Sequence, residues 1–216
     1  YSFQVDTNYV LEKLSILAVP YRHKEWGRTM MLTVDEGPPV MQPPKMDVNA
    51  PDLYVPLMAF LTYILLVGFV AGASGRFTPE MLGMTGSSGV AIVLLEVTAI
   101  KLAFYLLQGA RIHFLDVLSC SGYKFLGFVV TLISRLIGGP WAGYCVMMIT
   151  SASIGTFMFK TLPALSRQSN GSESTDGFMT EGMGSPSKQH KKKLQYHSLI
   201  GVGVLQLPFS YYLCWV

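Results

Sequence analysis

Between Leu53 and Leu165 the chain carries charge at only nine positions: Arg76, Glu80, Glu96, Lys101, Arg111, Asp116, Lys124, Arg135 and Lys160. A water-soluble fold cannot clothe its exterior with so little charge. Over the whole chain 13% of residues are Asp, Glu, Lys or Arg, against roughly 25% in soluble domains. Residues 197–216 contain none. These stretches are therefore read as embedded in a bilayer, with polar flanks around them. A hydrocarbon core ~30 Å thick takes about 20 helical residues to cross, and five apolar segments have that length: 54–74, 88–107, 114–137, 141–162 and 197–216. Backbone polar groups in lipid must satisfy one another, which leaves helices or closed barrels. Continuous apolar runs such as Leu57–Ala73 lack the alternation of barrel strands. The expected fold is all-α, a polytopic bundle of five transmembrane helices.

Orientation is read from Lys and Arg beside the segment ends. The N-terminal flank has Lys13, Arg22, Lys24, Arg28 and Lys45, and the loop before the last segment has Arg167, Lys188, Lys191, Lys192 and Lys193. The loop after segment one has only Arg76, and Gly138–Pro140 has none. The N-terminus is thus expected in the cytosol and the C-terminus in the lumen. The sequon Asn170-Gly171-Ser172 falls on the cytosolic side and is expected to stay unglycosylated. The chain starts at Tyr1 without Met, so preceding residues are expected; no cleavable signal sequence is visible.

Residues 1–53 read as a cytosolic juxtamembrane region. Asp6 or Thr7 can cap a helix running to Val19, where Pro20 stops it. Val10, Leu14 and Leu17 share one face with Leu11 and Ala18 nearby, and Glu12, Lys13 and Ser15 are expected to turn outward. Such a short amphipathic helix can lie on the membrane, on a partner or on its own bundle. Gly37–Pro44 reads as an extended spacer, and 166–193 as a flexible cytosolic loop.

Ionisable groups inside a bilayer are costly and so informative. Glu96 and Lys124 fall near mid-segment on neighbouring helices, and an intramembrane Glu96–Lys124 ion pair is expected; Lys101 and Arg135, nearer helix ends, are read as snorkelling. Gly68 and Gly72, and Ser151 and Gly155, have the small-residue spacing of helix-packing faces. Cys120, Cys145 and Cys214 lie scattered in apolar runs and are read as packing residues. No metal cluster, phosphate loop, nucleophile elbow or proton relay is legible, so no catalytic residue, cofactor or metal is expected and the chain is read as a non-enzyme. A net charge of +3 excludes a dedicated nucleic-acid binder. A small ion or lipid transporter using Glu96 and Lys124 is the alternative.

The boundary Asp47-Val48-Asn49-Ala50-Pro51-Asp52-Leu53-Tyr54-Val55-Pro56-Leu57-Met58-Ala59-Phe60 is unusual in composition and runs straight into the first membrane segment. It resembles the signature of the Yif family, the Yip-interacting factors. Tyr9-Val10-x-x-Lys13-Leu14, Pro20-Tyr21-x-His23-Lys24-x-Trp26, Arg76-Phe77-Thr78-Pro79-Glu80, Leu95-Glu96-Val97 and Gly122-Tyr123-Lys124-Phe125-Leu126-Gly127 are similar to further stretches of that family, in order. The resemblance implies an endoplasmic-reticulum and Golgi membrane protein of vesicle transport. It further implies hetero-oligomers with a Yip-type partner and association with prenylated Rab GTPases. Asp47, Asn49, Pro51, Asp52, Tyr54 and Pro56 are then candidates for partner contact. Turn chemistry alone also accounts for Asp and Pro at these places.

Overall fold

A computed structural model describes residues 6–21, 30–31, 40–41, 47–106 and 113–173, with side chains placed at 6–21, 47–106 and 113–165. The described chain is helical apart from two antiparallel two-residue strands, β1 (Met30–Met31) and β2 (Val40–Met41). Five helices follow in order: α1 (Thr7–Ala18), α2 (Tyr54–Ala73), α3 (Pro79–Leu106), α4 (Phe114–Gly122) and α5 (Lys124–Glu173). The segment expected at 197–216 lies outside the described residues.

Among the described residues, three helical stretches are long and apolar enough to cross a membrane: Tyr54–Ala73, Pro79–Tyr105 and Phe114–Leu165. Helix α2 displays the membrane signature directly. Val55, Ala59, Tyr63, Val67 and Ala71 recur every fourth residue and are buried, while Leu57, Leu61, Leu65 and Phe69 on other faces are exposed. A helix in water would carry polar residues on its outer face; this one is apolar all round, as a bilayer requires.

Phe114–Leu165 spans 52 residues, roughly 78 Å if straight at 1.5 Å per residue. It is not straight. Gly139 has φ +76°, a conformation that favours glycine, and with Pro140 it turns the chain back on itself. The two arms then pack antiparallel. Tyr123 meets Phe157 edge-on at 5.4 Å between ring centroids. A Cβ on Gly127 would stand 2.7 Å from Ile154, and one on Gly143 3.0 Å from Arg135. The turn at Gly138–Pro140 thus falls where the sequence places it.

Several boundaries differ from expectation. Helix α3 begins at Pro79, nine residues before the expected start at Ser88. Proline is well suited to a first helical position, where its missing N–H costs nothing, and packing on α2 carries the Gly- and Ser-rich stretch 83–89 as helix. The preceding turn closes with Gly75 at φ +65° and Arg76 N–H bonded to Ala71 O at 3.0 Å. The third segment is interrupted at Tyr123, between α4 and α5. Helix α5 continues to Glu173, eight residues into the expected loop.

Glycine contacts fix how α2 and α3 align. Cβ atoms at Gly68, Gly86 and Gly89 would meet Leu82 at 2.9 Å, Ile64 at 3.5 Å and Phe60 at 2.9 Å. This antiparallel register carried forward sets Glu96 opposite Tyr54. Glu96 therefore lies level with the first turn of α2, about 26 Å along α3 from Pro79. A start at Ser88 would put Glu96 eight residues into its helix; the helix puts it seventeen residues in.

Candidate functional site

The first turn of α2 is where buried polar side chains collect. Asp47 starts the approach: its carboxylate accepts from Asn49 N–H at 2.9 Å and its carbonyl from Ala50 N–H at 3.0 Å, a tight turn. Asp52 is fully buried. Its Oδ1 accepts from Val55 N–H, three residues on, at 2.8 Å, which satisfies a donor at the start of α2. Its Oδ2 accepts from Tyr123 Oη at 2.6 Å and from Tyr9 Oη at 2.9 Å. Ser119 Oγ donates to the Asp52 carbonyl. One residue thus joins α1, α2, α4 and the α4–α5 junction.

Lys13 completes this node. The spacing Tyr9, Lys13, Leu17, Pro20 forms a single stripe on α1 and its continuation, and all four are buried. Lys13 is 2% exposed, contrary to the expectation that it faces outward. Its alkyl stem packs like an aliphatic residue, and Nζ donates to Val48 O at 2.5 Å and Ala50 O at 3.0 Å. The ammonium also lies 5.6 Å from the ring centre of Tyr123 and 6.0 Å from that of Phe157. Ile16 and Leu17 enter the main apolar core, and Ser153 Oγ donates to Ala18 O at 3.2 Å. Helix α1 therefore packs on its own bundle. Leu11 and Ala18, expected beside its apolar face, are exposed.

Beside the node, Lys124 Nζ forms a salt bridge with Glu96 Oε2, each side chain 5% exposed. Tyr123 and Lys124, adjacent in sequence, so reach two different carboxylates, Asp52 and Glu96. Gly122 makes room for this: a Cβ there would stand 2.6 Å from Pro56 Cβ. The Glu96 and Lys124 side chains close on each other.

Of the boundary residues, Asp47, Pro51, Asp52 and Pro56 are buried within the chain, and Asn49 and Tyr54 are half-buried. Of the small-residue candidates, Gly68 contacts Leu82 and Phe77, whereas a Cβ at Gly72 or Gly155 would meet nothing within 4 Å and Ser151 is half-buried. Besides Gly68, close helix approach falls at Gly89, Gly122, Gly127 and Gly143; the Gly86-x-x-Gly89 spacing is the sequence signal for the first. Cys120 is buried but Cys145 is exposed, so Cys145 does not serve internal packing. Cys214 lies outside the described residues.

These features define a polytopic helical membrane protein whose buried polar groups fasten helix ends and the preceding segment together. The chain belongs to the YIF1 family, whose model matches residues 1–214. It is 41% identical over 163 residues to Protein YIF1B of Xenopus tropicalis, covering 75% of this chain and 52% of the relative. Protein YIF1A of Mus musculus is 35% identical over 214 residues, 99% of this chain and 67% of the relative. Protein transport protein YIF1 of Saccharomyces cerevisiae is 32% identical over 200 residues, 90% of this chain and 60% of the relative. The chain spans about half the length of several curated relatives it matches. No solved structure matches it.

Proposed function

We propose that this protein is a non-enzymatic membrane adaptor in ER-to-Golgi vesicle transport, assembling with a Yip-type membrane partner and associating with prenylated Rab GTPases. Family membership supports the transport role, since the yeast relatives are named protein transport proteins. The observation that carries the adaptor reading is the node around Asp52. It spends the buried ionisable groups on holding α1, α2, α4 and α5 in fixed relation. That arrangement presents a defined surface on the side from which α2 starts, with Asn49 and Tyr54 at its edge.

We further propose five membrane passes, with the segment 197–216 as the fifth, in ER and Golgi membranes. The N-terminus is then cytosolic and the C-terminus lumenal. Full-length protein solubilised in mild detergent should co-purify with a Yip-type subunit and a prenylated small GTPase; a lone, monodisperse species would sink the adaptor reading. Asn170 should remain without glycan in a secretory-pathway host. A glycan there would invert the orientation.

A further inference from the structure

A groove of about 230 Å³ runs between α2, α3 and the α4–α5 junction. It is lined by apolar residues alone, among them Leu57 and Phe60 of α2, Val90 and Leu94 of α3, Leu118 of α4 and Phe125 of α5. Leu57, Val90 and Leu94 are exposed, so its mouth opens sideways on the lipid-facing surface. Its inner wall includes Gly122.

The groove leads toward a positive charge. Lys101 lies seven residues beyond Leu94 and eleven beyond Val90, within about 20° of both around the axis of α3. Its ammonium stands 5.5 Å from the ring centre of Phe114, which is one turn before Leu118 on α4. Lys101 is exposed. The nearby acids are accounted for: Glu96 faces Lys124, and Asp116 lies two residues from both Phe114 and Leu118, on the other side of α4.

Depth identifies the occupant. In the α2–α3 register, Lys101 is five residues beyond the level of Tyr54, about 7 Å outside the layer that the 20 residues of α2 span. That is where lipid phosphates lie, while the groove occupies the depth of acyl chains. A partner helix, 10–12 Å across, would have to bury an ammonium; a lipid brings the opposite charge to it. We propose that this groove binds one acyl chain of an anionic phospholipid, with the lipid's net negative headgroup at Lys101.

The test is native mass spectrometry of the full-length protein in mild detergent, with added phosphatidylserine or phosphatidylcholine. Phosphatidylserine should be retained roughly fivefold better, the factor expected for one basic residue at an anionic headgroup. Lys101→Gln should bring it down to the phosphatidylcholine level. Leu94→Trp, which fills the groove from its exposed rim, should reduce both lipids, while Leu65→Trp on a lipid-facing surface outside the groove should change neither. Equal retention by wild type and Leu94→Trp would overturn the site, and an unchanged lipid preference in Lys101→Gln would overturn the headgroup assignment. Disulfide capture of another polypeptide by Leu94→Cys in native membranes would overturn the lipid in favour of a protein helix.

Discussion

Glu96→Gln and Lys124→Met, made singly and together, measure what the buried ion pair contributes. Both side chains are 5% exposed, so the pair belongs with buried salt bridges and not with solvated surface pairs. Removing one partner leaves the other charge desolvated and uncompensated, a loss of about 3–5 kcal/mol. At roughly 2–4 °C per kcal/mol for a domain of this size, each single variant should lose about 6–20 °C of thermal stability. The double variant places an amide beside a thioether and leaves no orphan charge. Its loss should therefore be smaller than that of either single variant. Hydrogen bonds between membrane helices average only ~0.6 kcal/mol, so a coupling energy above ~2 kcal/mol separates a charge effect from a plain polar contact. The assay is the fraction surviving size-exclusion chromatography after heating in one fixed detergent. If the double variant loses the sum of the single losses to within ~0.5 kcal/mol, the two residues act independently and the reasoning fails.

The remaining predictions concern the node and its packing. Asp52→Ala withdraws the acceptor from Val55 N–H, Tyr9 and Tyr123 and should cost roughly 4–8 kcal/mol by the same heating assay, the sum of a lost cap and two hydrogen bonds to a charge. Tyr123→Phe removes one of those donors and should cost about 1.5–3 kcal/mol, with its ring contact to Phe157 retained. Lys13→Met keeps the aliphatic stem but deprives Val48 and Ala50 carbonyls of their donor, so limited proteolysis should cut the α1 region faster while the membrane core resists. Gly122→Ala forces a methyl against Pro56 and should destabilise by about 1–3 kcal/mol, whereas Gly72→Ala, with open space around it, should not.

The membrane class and the turn at Gly138–Pro140 were legible because charge depletion and a Gly-Gly-Pro run act locally. Boundaries inside the bilayer were harder to read. A helix in lipid is apolar on both faces, as Tyr63 and Leu65 are on α2, so hydropathy loses the period that marks a helix face in water. Lys13 was misread because a lysine pattern reads as solvent-facing unless its carbonyl acceptors are known, and these lie 35 and 37 residues away. Asp52 was legible as a turn residue. Its bonds to Tyr9 and Tyr123, at separations of 43 and 71 residues, are tertiary and leave no local pattern.

The docking of α1 bears on the order in which the protein can be made. Ser153, which bonds the end of α1, follows Ala18 by 135 residues. A ribosome adding ~5–20 residues per second takes roughly 7–27 seconds to bridge that interval. Throughout it Tyr9, Lys13 and Leu17 lack their seat, because the arm bearing Ser153 and Phe157 has not been completed. Helix α1, made before the other described helices, is thus among the last of them to settle, and its docking reports that the hairpin of α5 is in place.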